Sequence, residues 1–186
     1  LWRNEEGLLT ENYGEARRIN AGSPEPLWTG GFNTELSWKG ISLGIQLEAR
    51  YGNKVLNQDR SLFEADGSYG DSNIWKGALN YWKKPGDTNV LPKPIYNNSS
   101  NSSQISTRYL EDGSYLRIKD ITLAYNLPSK WTKKALMSGV RIYASALNLY
   151  TFHNMNYWDP EHGTTGATII SYPMTRSMIV GVDITF

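Results

Sequence analysis

The sequence predicts an all-β fold, in which about five antiparallel, up-and-down strands form the C-terminal part of a large transmembrane β-barrel. Three observations carry this. Two adjoining 11-residue stretches alternate apolar and polar residues, with a parity flip between them. The last ten residues repeat the alternation and stop on Phe186. No apolar run approaches the roughly 18 residues of a membrane helix, yet 7 Trp, 12 Tyr and 17 Gly suit strands, interfacial girdles and turns.

The clearest segment is 28–51. Trp28, Gly30, Phe32, Thr34, Leu36 and Trp38 share one parity, with Asn33, Glu35 and Ser37 among the residues between them. After Lys39-Gly40 the apolar parity moves to Ile41, Leu43, Ile45, Leu47, Ala49 and Tyr51, interleaved with Ser42, Gly44, Gln46, Glu48 and Arg50. A flip across two residues is what a tight hairpin requires, because strand side chains alternate faces. The register then sets Trp38 against Ile41, Leu36 against Leu43, Phe32 against Leu47 and Trp28 against Tyr51. About ten steps of roughly 3.3 Å give about 33 Å per arm, which at a tilt near 40° covers the apolar band of an outer-membrane barrel, about 25 Å. Trp38 at one end, and Trp28 with Tyr51 at the other, fall where aromatic girdles belong. Strands of a soluble sandwich are usually shorter, about 5–6 residues.

Further strands follow. Ile121, Leu123, Tyr125 and Leu127 alternate with polar or small residues until Pro128 stops the ladder. Leu116 and Ile118 have the opposite parity, so either a bulge stands near Lys119-Asp120 or these two side chains face inward. Residues 140–152 are strand-like with apolar residues on both faces, and the side of Val140, Ile142, Ala144 and Ala146 is the one assigned to lipid. Met178, Val180, Val182, Ile184 and Phe186 form the final stripe. A terminal Phe after alternate apolar positions resembles the C-terminal signal of bacterial outer-membrane barrels, the plainer reading being an edge strand that ends on Phe.

With the C-terminus set in the periplasm, the strands 177–186, 140–152, 115–127, 41–51 and 28–38 alternate in direction. Lys39-Gly40 then becomes a short periplasmic turn, while 52–114 and 153–176 become long extracellular loops, as such barrels require. Residues 1–27 are expected to be an extracellular loop remnant. Residues 128–139 make a longer periplasmic link with a helical turn at Trp131–Met137. A barrel needs about eight strands to close, and an open sheet would leave backbone groups unsatisfied in lipid. The chain is therefore expected to be the end of something larger. No signal peptide is expected at Leu1.

Charge and composition exclude several function classes. Lys+Arg 19 against Asp+Glu 18 leaves +1, no field for nucleic acid. The absence of Cys excludes disulfides, thiolate metal sites and thiol nucleophiles. His153 and His162 lack acidic partners at ligand spacing, so no metal site is expected. Asp159 and Glu161, one residue apart in a Pro/Gly loop, suit turn formation better than a glycosidase pair. No nucleophile elbow or phosphate loop stands out. Neither an enzyme nor a cofactor is expected.

SPEPLWTGGFNTELSWKG (23–40), RYGNKVLN (50–57), RYLEDGSYLRIKDITLAYNLP (108–128), RIYASALNLYTF (141–152), YWDPE (157–161) and VGVDITF (180–186) occur in this order and spacing. Together they resemble the C-terminal end of the SusC/RagA family of TonB-dependent outer-membrane transporters of Bacteroidetes. The likeness runs from about Gly22 to Phe186, with a departure at HNMNY (153–157), where the family more often has a Thr/Lys/Tyr-rich link. The resemblance implies a plugged barrel of roughly 22 strands. It also implies a TonB box coupled to the TonB complex, a SusD-like surface lipoprotein over the mouth, and oligosaccharide or, in some members, peptide import. Neither plug nor TonB box is in this chain.

On that reading Tyr69, Trp75, Tyr81, Trp82, Tyr157 and Trp158 are candidates for ligand or lid contact, since large rings in a polar loop often mark contacts. Packing of the 52–114 loop on itself, where Tyr96 and Tyr109 also stand, explains such rings equally well. NNSSNSS (97–103) reads as a flexible tip. Glu35, Gln46, Glu48 and Arg50 are lumen-facing candidates, for contact with the plug or a solute path, or as plain wetted wall. Two rival functions stay open. One is a surface β-sandwich that holds carbohydrate without transport, and the other is a barrel anchor for an adhesin or autotransporter.

Overall fold

A computed structural model describes residues 1–68, 73–88, 90–161, 166–168, 172 and 174–186. Tyr69 and His162 lie outside the described residues. The chain divides into two compact units, residues 25–54, 112–161 and 172–186 in one, and 1–24, 55–111 and 162–171 in the other.

The first unit is an antiparallel sheet of five strands: β1 (Trp28–Trp38), β2 (Ile41–Tyr51), β3 (Tyr115–Asn126), β4 (Gly139–His153) and β5 (Ser177–Thr185). Their spatial order is their chain order, an up-and-down meander. The hairpin register is the expected one, from Trp28↔Tyr51 through Leu36↔Leu43 to Trp38↔Ile41. Lys39 and Gly40 both have positive φ, +48° and +89°, the handedness that a two-residue hairpin turn needs to match strand twist. A Cβ on Gly40 would sit 2.9 Å from the Asn126 carbonyl oxygen.

The parity question at Leu116 and Ile118 resolves as a bulge. Gln46 pairs with Asp120 and Leu47 with Ile118, which leaves Lys119 extra. The insertion flips the alternation, so Leu116 and Ile118 rejoin the face of Ile121 and Leu123. β4 compensates with its own irregularity, Asp120 facing Leu147 and Ile118 facing Tyr150, and Asn148 adopts φ +50° there. The orientation of β4 also follows from pairing. Ala144 lies between Leu123 and Val180, so Ile142, Ala144 and Ala146 belong to the apolar face.

That face is continuous and uncovered. Phe32, Leu36, Leu116, Leu123, Ile142, Phe152, Val180 and Val182 are all exposed, Leu36 at 61% and Val180 at 79%. In water such a patch would be an aggregation liability, while against acyl chains it is the required surface. Trp38 marks one edge of the stripe, and Trp28 with Tyr51 the other, all exposed. Among the described residues no helix is long and apolar enough to cross a membrane; spanning by strands needs none. On the opposite face, the Tyr143 ring lies over its cross-strand partner Gly181, where a Cβ would come within 2.5 Å of the ring. Between β3 and β4 the expected helical turn is present as Ser129–Thr132 followed by Lys133–Ala135.

The second unit folds the long connection into short elements instead of leaving it a plain loop. Leu110–Asp112, Lys54–Asn57 and Ala167–Thr168 form a small sheet. Helix Gln58–Phe63 is capped by Asn57, whose side chain accepts from the Arg60 N–H. The core of this unit is largely polar. Arg60 donates to Glu64 (3.0 Å) and Glu111 (2.7 Å), and Arg108 donates to Asp66 (2.6 Å). Tyr109, fully buried, lies under both guanidinium groups, at 5.9 and 5.0 Å from its ring centre. Burial pushes its phenol up to about 12, with Arg108 pulling the other way.

Candidate functional site

The chemically richest region is the polar face of the five-stranded sheet near its loop end, the end from which residues 52–114 and 154–176 leave. β-pairing sets Gly31, Glu48, Arg117 and Thr151 abreast, with Thr29, Arg50, Tyr115 and His153 in the next row. Arg117 has no exposed surface. A buried guanidinium requires counter-ions, and these come from the YWDPE segment. Arg117 pairs with Asp159 through one terminal nitrogen, and with Glu161 through the other at 2.5 Å. Its Nε has no partner among the described residues.

The bulged Lys119 joins the same cluster, 2.9 Å from Glu161 and 3.1 Å from Glu48. Tyr115 donates its hydroxyl to Glu48 at 2.8 Å, and Arg50 stands 3.9 Å from the same carboxylate. Arg50, Arg117 and Lys119 thus balance Glu48, Asp159 and Glu161. The charges cancel, as a poorly hydrated network must. The bulge has a second effect, since without it Lys119 would fall on the apolar face. Further along, Thr122 and Ser145 both donate to Asp120, at 2.8 Å each.

Asp159 does form the expected turn, accepting the Glu161 N–H at 2.9 Å. It is also an anchor, a role absent from the sequence reading. Beside it lies a polar cavity of about 300 Å³, lined in part by Arg117, Asn148, Tyr157, Trp158, Asp159 and Arg176. Tyr157 is exposed, Trp158 half-buried, and His153 exposed. Of the candidate rings, Tyr157 and Trp158 are therefore brought together with hydrogen-bonding side chains.

The rings of the other unit divide. Trp75 stacks on Phe63 at 4.8 Å, and the buried Tyr109 is core, so these two pack the loop. Tyr81 is half-buried beneath Lys83, 5.3 Å from its ring centre. Trp82 and Tyr96 are exposed, Trp82 lining a hollow with Leu1, Leu91 and Pro92. Glu35, Gln46, Glu48 and Arg50 share the polar face. Glu35 and Gln46 are exposed there, while Glu48 and Arg50 are half-buried. Among the described residues no cluster of His, Asp and Glu has a metal-binding arrangement.

Arg117, Lys119 and Tyr115 escaped the sequence reading as site residues. The signal available was a pair of cations inside a strand whose parity breaks, followed some 40 residues later by an acidic pair.

Comparison with known proteins agrees with this architecture. No family model matches the chain. It is 31% identical over 182 residues, 92% of its length, to TonB-dependent receptor P3 of Formosa agariphila, and 28% identical over 179 residues to TonB-dependent receptor P26 of the same organism. The chain spans 17% of the length of each of these relatives. Among solved structures, the RagAB peptide importer in its open-open state superposes with a TM-score of 0.82 at 30% identity, covering 98% of this chain and 20% of that one. The closed-closed state gives 0.78 at 31% identity, covering 97% and 19%. The long alternating strands, the uncovered apolar wall and these likenesses agree, and the chain belongs to the SusC/RagA family of TonB-dependent outer-membrane receptors, of whose β-barrel it forms a part.

Proposed function

We propose that the parent protein imports oligosaccharides across the outer membrane in a TonB-dependent manner, as the SusC-like partner of a SusD-like surface lipoprotein. The carrying observation is the cavity on the polar face, where Tyr157 and Trp158 stand beside Asn148, Asp159 and Arg176. Flat rings next to a few hydrogen-bonding groups suit sugar faces and their hydroxyls. On this reading the turn end faces the periplasm, residues 1–27, 52–114 and 153–176 are extracellular, and Trp82 and Tyr96 are lid or ligand contacts. Coupling to the TonB complex would run through segments outside this chain. The balanced charges around Arg117 then hold the YWDPE segment against the lumen wall while substrate passes.

Peptide import is the second reading, supported by the likeness to the RagAB peptide importer. Both make the protein a transporter and neither requires catalysis. Deletion of the parent gene, followed by uptake assays with labelled oligosaccharides and peptides, separates them. Loss of oligosaccharide uptake alone is the expected result, and loss of peptide uptake alone transfers the assignment to the second reading. In purified parent protein, Trp158→Ala is expected to weaken oligosaccharide binding roughly fivefold, from about 1 kcal/mol of lost ring contact.

A further inference from the structure

The turn end of the sheet carries a charge asymmetry that neither the transport reading nor the Arg117 cluster uses. Lys39, Lys130, Lys133, Lys134 and Arg141 are all exposed there. Across segments 37–42, 124–142 and 182–185 a single acidic side chain, Asp183, answers these five cations, 3.5 Å from Arg141. Backbone pairing brings these segments to one end of the sheet. The Asn126 N–H donates to Gly40 O, Leu127 N–H to Val140 O, and Ser138 N–H to Thr185 O. Exposed apolar groups sit among the cations: Trp38 at 69%, Trp131 at 62% and Leu136 at 90%. Lys39 holds its ammonium 4.7 Å from the Trp38 ring centre.

We infer that this turn end is a docking surface for the phosphate headgroups of anionic phospholipid, with Lys130, Lys133 and Lys134 as its principal contacts. The surface lies at the edge of the apolar wall, level with the Trp38 girdle, where headgroups meet acyl chains. Lysines on long stems with interleaved Trp and Leu can bury their apolar parts and present charge to phosphate. An acidic protein would be served by the charges but gives no reason for the exposed Trp38, Trp131 and Leu136 beside a lipid-facing wall. The inference rests on the proposed orientation, which makes the leaflet in question the periplasmic one.

The test uses the full-length parent receptor in mild detergent, with phosphatidylglycerol or phosphatidylcholine added and retained lipids counted by native mass spectrometry. Each basic residue near a charged headgroup layer is worth roughly fivefold; allowing for screening, phosphatidylglycerol is expected to be retained about tenfold over phosphatidylcholine. The exposed triple variant Lys130→Gln/Lys133→Gln/Lys134→Gln should lose most of that preference, while Lys76→Gln/Lys83→Gln/Lys84→Gln, of equal charge change in the other unit, should keep it. Equal retention of the two lipids, or equal loss in both triple variants, overturns the inference. So does protection of Lys130–Lys134 from acetylation by an acidic polypeptide but not by phosphatidylglycerol, which would make the surface a protein site. Orientation is read separately, from labelling of Lys134→Cys in cells by an impermeant maleimide. Labelling only after the outer membrane is opened agrees with the proposed topology, and labelling of intact cells overturns the leaflet assignment.

Discussion

Replacing Asp159 with Asn and Glu161 with Gln removes both terminal counter-ions of Arg117 while keeping side-chain size. Arg117 has no exposed surface, so its charge would remain buried and uncompensated. Breaking a buried pair in this way typically costs about 3–5 kcal/mol. Asp159 and Glu161 keep 16% and 17% of their side-chain surface in water, which places the cost at the low end, about 3 kcal/mol or roughly a hundredfold in a local opening equilibrium. Hydrogen exchange of the peptide covering 154–161 in the full-length parent receptor reads that opening directly. The Asp159→Asn/Glu161→Gln variant should exchange about a hundredfold faster in this peptide, with β1 and β2 unchanged. Adding Arg117→Met removes the orphaned charge and should restore most of the protection. An acceleration below about threefold would refute the claim that a buried ionic anchor holds this segment to the wall, and a triple variant as fast as the double would refute the assignment of the cost to the orphaned charge.

The two faces of β2 give a sharper contrast. Ile45→Arg places a charge mid-strand on the apolar face and should cost about 2–4 kcal/mol in folding into vesicles, read by urea titration, whereas its neighbour Gln46→Arg should cost under about 1 kcal/mol. Similar costs at both positions would contradict the assignment of faces. Gly40→Val meets a positive φ and the Asn126 carbonyl oxygen at 2.9 Å, and should lower unfolding stability by about 2 kcal/mol. Tyr109 keeps its proton up to about 12 when folded, against 10 for the free phenol. The folded state therefore binds a proton that the unfolded state releases, so this contribution is complete below pH 10 and lost as pH rises through 12. Alkaline titration followed at 295 nm should lose the amplitude of one late-ionising phenol in Tyr109→Phe.

The apolar wall was legible in the sequence because its cause is local. A strand shows alternate residues to opposite faces, so Trp28 to Tyr51 announce hairpin, register and lipid face within 24 residues. The same rule left Leu116 and Ile118 ambiguous, since a parity break alone does not say whether the backbone bulges or the side chains point inward. Pairing on both sides of β3 decided it. β4, apolar on both faces, had no contrast to read, and its orientation came only from its neighbours. In the long connection, ring content was visible, but whether a ring packs or stands free depends on remote contacts. Phe63 stacked on Trp75 leaves that ring half-buried in the loop, and two guanidinium groups over Tyr109 make that ring interior.

The sequence by itself determined an antiparallel sheet of spanning length, greasy on one side and wet on the other, because strand periodicity and hydrophobic burial act over neighbouring residues. Only the tertiary structure decided that Arg117 is buried and that Asp159 and Glu161, 42 and 44 residues further along, neutralise it. Coulombic pairing depends on distance in space and leaves no period in the chain. It becomes visible only when a bulge at Lys119 and a turn at Pro160 bring the charges to one place.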